Sequence, residues 1–270
     1  MMAPLFLPLL SLLSLLLTQL SALLPPRVSP RISRSSSRSL TMKHVRHILY
    51  DMPVSNHGAR IRMIIQLKGI QDIEIRSPLS LGGLKSPDFV RLNPEGKMPI
   101  LLVEGEGGLY PIVESDPIAR FLLDRYTEGP SLRAGSEMQR CLGEQLVRVM
   151  DQYIGPLQGT MYKAPGTVYG PYGTDRKAGL AELVRQMCVL ETLLDTFDAN
   201  FPTLKQDPYL CGDMSLADVM LYPTMVFADW MLPQFFGLER GSFMGPRLTK
   251  WFLFMSSEES GGQVRGAGAG

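Results

Sequence analysis

Between Val45 and Tyr126 the apolar period changes from strand to helix to strand, and then, past a polar stretch, to two strands and a helix. Val45 to Tyr50 reads as a short strand. Gly58 to Lys68 places Ile61, Ile64, Ile65 and the stem of Lys68 on one helical face. Gly69 follows where a helix C-cap belongs. Asp72 to Arg76 alternates polar and apolar residues, as a half-buried strand does. Pro99 to Val103 and Leu109 to Val113 read as two strands around the turn Glu104 to Gly108. A last helix, carrying Phe121, Leu122 and Arg125, is expected from Asp116-Pro117, with Asp116 as cap and Pro117 at the first position.

That order, βαβ followed by ββα, is the thioredoxin-like order. Beyond it the pattern is helical throughout. Thr127 to Ser136 is a linker by composition. Glu137 to Tyr153 and Lys177 to Phe197 are apolar at helical spacing, with Leu183, Met187, Leu190 and Leu194 forming one stripe. Lys163 to Asp175, rich in Gly, Pro and Tyr, reads as a loop. Ser215 and Asp218 have the spacing of a capping box. The expected fold class is an α/β thioredoxin-like domain over 42–127, a linker over 128–136 and an all-α helical-bundle domain over 137–255. The Ser- and Gly-rich end, 256–270, opposes helix and is expected to be disordered.

Composition narrows the functional classes. With 27 basic and 26 acidic residues the chain has no general attraction for nucleic acid. Cys141, Cys188 and Cys211 are odd in number and widely spaced, so neither a disulfide framework nor a zinc site is suggested. No cluster of His, Cys and carboxylate residues has metal-ligand spacing. Leu5 to Leu24 is nearly all apolar, Arg27 to Ser39 is basic and Ser-rich, and the first acidic residue is Asp51. Residues 1–41 therefore read as a targeting segment. Two forms fit it: a membrane anchor with a linker, or a signal-like run followed by a transit-like run. The second resembles the presequences of plastid proteins in algae with secondary plastids, and a plastid location is the expectation, with cytoplasmic and membrane-anchored forms as alternatives.

Three motifs carry a family resemblance. Asp51 to Arg60 (Asp-Met-Pro-Val-Ser-Asn-His-Gly-Ala-Arg), Lys85 to Leu101, with Asn-Pro-Glu-Gly-Lys-Met-Pro at its centre, and Val113 to Leu122, opening Val-Glu-Ser-Asp-Pro, resemble the glutathione transferases. The serine-dependent classes, and the phi class in particular, are the most similar. The resemblance implies that glutathione is the co-substrate, that a small hydrophobic electrophile is the second substrate, and that the protein forms two-fold dimers and serves detoxification or stress response. It makes Ser55 the hydrogen-bond donor to the glutathione sulfur. It implies a cis bond between Met98 and Pro99, with the backbone of Met98 pairing with the cysteinyl unit. Glu114 and Ser115 would hold the γ-glutamyl end, at a helix N-terminus that favours a carboxylate. Lys85 and Lys97 would flank the glycyl carboxylate as point charges. Leu84 stands where phi-type sequences often have His, and Lys97 where they commonly have Gln.

Elementary chemistry explains why a donor belongs at Ser55. The thiolate is the nucleophile, and a free thiol has a pKa of about 8.5. Lowering it by two units requires about 2.7 kcal/mol. One hydrogen bond to a charged acceptor supplies about 1.5–3 kcal/mol, and a helix N-terminus adds about 0.3–1 kcal/mol. Ser55 also fits a plain helix cap, and the two roles can coexist. Tyr50 reads as a strand residue and His57 as a lone histidine on the first turn of the helix. Met52, Val54, Met150 and Tyr153 are candidates to face the electrophile. No cysteine lies within three residues of position 55, so disulfide or dehydroascorbate chemistry is not expected. Two further functions fit the same residues: a non-catalytic module that binds glutathione or a hydrophobic ligand, and a glutathione-dependent isomerase.

Overall fold

The computed structural model describes residues 47–169, 172–205 and 208–257. The apolar run Leu5 to Leu24, the basic segment after it and the chain beyond 257 lie outside the described residues. Contacts group the chain into two compact units. One runs to Ser55 and adds Asp72–Pro111; the other comprises Asn56–Gln71 and the chain from Ile112 onward.

The first unit is built on a mixed four-stranded sheet, in the order β2-β1-β3-β4. Its strands are β1 (His47–Tyr50), β2 (Ile73–Arg76), β3 (Ile100–Gly105) and β4 (Gly108–Val113). β1 runs parallel to β2, with Leu49 opposite Ile75, and antiparallel to β3, with Leu49 opposite Leu101. Leu49, Ile100 and Leu101 are fully buried, and Tyr50 meets Phe89 edge-on at 6.3 Å. The β3–β4 connection is two residues, Glu106-Gly107, rather than the five expected. The strands extend through Glu104 and Gly105 because backbone pairing outweighs the low strand preference of those residues. A short helix, α2 (Pro87–Leu92), is absent from the sequence reading. Ser86 caps it by accepting from the Phe89 N–H at 3.2 Å.

The second unit contains α1 (Asn56–Leu67), which links β1 to β2, and α3 (Ser115–Arg125), which follows β4. Its other long helices are α4 (Glu137–Val149), α6 (Arg176–Asn200), α7 (Leu216–Phe236) and α8 (Pro246–Met255), with a four-residue α5 (Gly159–Tyr162). α1 packs against α3 and α7. It ends as the sequence predicts: Gly69 has φ +63°, its N–H bonds to Gln66 O, and the Ile70 N–H bonds to Ile65 O, closing a Schellman turn. The stripe Leu183, Met187, Leu190 and Leu194 is fully buried along α6. Tyr126 to Ser136 contains neither helix nor strand. α3 starts two residues earlier than expected. Its cap position is Glu114, held at positive φ (+68°) with an extended ψ; Asp116 instead pairs with Arg120 one turn on. Pro117 therefore sits inside the first turn rather than at its start.

Two interhelical devices fix the second unit. Glu191 on α6 accepts from the backbone N–H groups of Arg247 (2.6 Å) and Leu248 (3.0 Å), satisfying the first turn of α8 from outside the helix. Gly245 makes room for it: a Cβ there would lie 2.3 Å from the Glu191 carboxyl carbon. Gly245→Ala should therefore displace that carboxylate and cost roughly 1–3 kcal/mol. A urea midpoint equal to that of the parent would show that the cap is dispensable. The second device is Asp218, at the start of α7, which reaches back to the Ser215 N–H at 2.8 Å as the capping box requires.

The cysteines divide by burial. Cys141 and Cys188 are exposed, and Cys211 is buried, which pushes its thiol pKa well above the ordinary range. A buried protonated thiol is inert. A thiol-specific chromogenic reagent at neutral pH should titrate two groups in the native protein and the third only after denaturation. Reaction of all three without unfolding would contradict the packing of Cys211.

Candidate active site

In the first unit, the chain turns sharply after β1. The Ser55 N–H bonds to Met52 O at 3.0 Å, and Ser55 is half-buried immediately before α1 begins at Asn56. Tyr50, by contrast, lies buried in the sheet against Phe89. The Met98-Pro99 bond is cis. Asn93 organises the loop before it: its side chain donates to Lys97 O at 2.8 Å and accepts from the Glu95 N–H at 3.1 Å. Gly96, with φ +60°, is required for the approach of a neighbouring loop. A Cβ there would lie 2.8 Å from Leu84 O and 3.1 Å from Lys85 Nζ. The loop thus brings Lys85 beside the Asn93–Pro99 segment. Lys97 is exposed and 3.6 Å from Glu95.

In the second unit, Ser115 opens α3 and is buried, while Glu114 beside it is exposed. A glutamate held at positive φ costs about 1–3 kcal/mol, and such strain is concentrated at ligand clamps. The Ser115 hydroxyl accepts from Arg60 Nη1 at 3.0 Å and lies 3.4 Å from His57 Nδ1. The same Arg60 nitrogen is 2.7 Å from Asp151 Oδ1. Asp151 is carried by a π-type turn, Met150–Ile154, in which the Gly155 N–H reaches back five residues to Met150 O. Turns of this kind are frequent at functional sites. Asn56, the first residue of α1, donates to Gln158 at 2.9 Å.

Sequence reasoning missed Arg60 and Asp151. Arg60 stands four residues before Ile64, so helical spacing already set it on the buried side of α1. Its partner is 91 residues away, and nothing local marks it. One candidate for the electrophile site needs correction. Met150 is fully buried and belongs to the core, because it continues the inward series of Leu142 and Leu146 at four-residue spacing, whereas Val54 and Tyr153 are exposed.

The sheet order, the βαβ–ββα connectivity and the helices that follow define a thioredoxin-like domain joined to an all-helical domain. Residues 49–130 match the family model described as the glutathione S-transferase N-terminal domain. A glutathione S-transferase 1 from Dianthus caryophyllus is 29% identical over 182 residues, spanning 66% of this chain and 75% of that protein. A zeta-class glutathione S-transferase from Euphorbia esula is 31% identical over 179 residues, spanning 65% of this chain and 72% of the relative. The crystal structure of Ure2p in complex with glutathione shares the fold, with a TM-score of 0.63 and 18% identity, over 83% of this chain and 99% of that one. The chain belongs to the glutathione S-transferase family.

Proposed function

We propose that the protein binds glutathione and lowers the pKa of its thiol through Ser55, so that the thiolate adds to a small hydrophobic electrophile. The observation that carries this reading is the placement of Ser55. A tight turn precedes a twelve-residue helix, and Ser55 is the last residue before it, at the end of the helix that favours a developing anion. Met98, before the cis proline, supplies backbone groups for the cysteinyl unit. Glu114 and Ser115 take the γ-glutamyl end, and Lys85 and Lys97 the glycyl carboxylate. The protein acts as a homodimer in this reading, as the family resemblance implies.

Conjugation of glutathione to a generic chloronitrobenzene tests the reading. Saturable turnover supports a transferase. Glutathione binding without turnover on a panel of electrophiles would favour a non-catalytic binding module instead.

A further inference from the structure

A fully buried arginine on α1 is poorly accounted for by stability. Arg60 has no exposed side-chain surface, yet only Nη1 is hydrogen-bonded; Nε and Nη2 have no hydrogen-bond partner among the described residues. Each unmet donor carries its desolvation cost uncompensated, and a buried ion pair is often no more stable than an apolar replacement. Its companion Asp151 retains a quarter of its side-chain exposure, so solvent weakens the compensation further. Residues that cost stability in this way are retained at functional sites.

Among the described residues, the one hydrogen-bond partner of the Arg60 side chain besides Asp151 is the Ser115 hydroxyl. We propose that Arg60 is a positioning residue for ligand binding, acting through Ser115; the assignment rests on the reading of Ser115 as part of the γ-glutamyl site. The geometry gives the reason. Nη1 occupies one of the two lone pairs of Ser115 Oγ and leaves its proton available to donate, and the adjacent positive charge polarises that proton. His57 Nδ1 lies 3.4 Å from the same hydroxyl, a long and weak contact. A carboxylate at the N-terminus of α3 is a strong acceptor for the Ser115 proton. Asp151 holds the same Nη1 at 2.7 Å, so the ion pair and the Ser115 contact share one arginine nitrogen.

The test uses the full chain and calorimetric titration with glutathione. The variants are Ser115→Ala, the paired replacement Arg60→Met with Asp151→Asn, and all three substitutions together. The paired replacement should unfold at the same or a higher urea concentration than the parent, while its dissociation constant rises ~10-fold or more. Adding it to Ser115→Ala should produce little further loss, because both act on one interaction. Arg60→Lys, which keeps a cation near Ser115, should recover part of the affinity. Additive losses, an unchanged affinity, or a paired variant that fails to fold would each overturn the assignment. A parent protein that binds no glutathione would refute the underlying reading of Ser115 instead.

Discussion

Replacing Ser55 by alanine should lower turnover roughly 25-fold at pH 7 while leaving glutathione bound. The figure follows from thiolate population. A thiol with a pKa of about 8.5 is about 3% ionised at pH 7, and one lowered by about two units is about 76% ionised. The loss should depend on pH with a definite sign. Turnover of the alanine variant should climb until the pH passes the free-thiol pKa of about 8.5, and the gap from the parent should close there. Binding should survive because Met98, Glu114, Ser115 and the two lysines are untouched. Initial rates at saturating glutathione from pH 6 to 9 measure it. Equal rates in both proteins across that range would reduce Ser55 to a helix cap.

Asp218→Ala should cost roughly 3–5 kcal/mol of stability, the range for breaking a buried charged network. Asp218 is fully buried and accepts four hydrogen bonds: from the N–H of Leu210 (3.0 Å) and Ser215 (2.8 Å), the Ser215 hydroxyl (3.0 Å) and Trp251 Nε1 (2.9 Å). Burial pushes its pKa up, and the four donors push it down. All four partners are donors, so the ionised form satisfies every one of them, whereas a proton would face a donor. The network ties the turn before α7, the first residues of α7 and the middle of α8 together. Alanine leaves those donors unmet in the core. Urea unfolding followed by the fluorescence of Trp230 and Trp251 reads the effect, and a variant within about 1 kcal/mol of the parent would show that the box is dispensable to stability.

Much of this architecture could be read from periodicity. The alternation of strand and helix before Arg76, the C-cap at Gly69 and the stripe on α6 depend on neighbours within a few residues, and they appear as expected. Non-local features did not. Asp116-Pro117 has the form of a cap followed by a first-turn proline, but the chain turns at Glu114, whose positive φ no local preference favours. Six residues are too few for a helical stripe, so α2 leaves no periodic signal, although Ser86-Pro87 carries its start signal. The π-type turn at Met150–Ile154 leaves the burial period intact, with Leu142, Leu146, Met150 and Ile154 all buried at four-residue spacing, so nothing in the apolar pattern marks it. In the site, the motif residues were named from the sequence, whereas the Arg60–Asp151 pair required the fold to bring 60 and 151 together.

The central claim is that this protein makes a thiolate of bound glutathione, and a direct titration of that thiol tests it. Ultraviolet difference absorbance of the thiolate is followed against pH for glutathione bound to the parent protein. The account predicts an apparent pKa about two units below the free value of about 8.5. A bound thiol that titrates at the free value would contradict it.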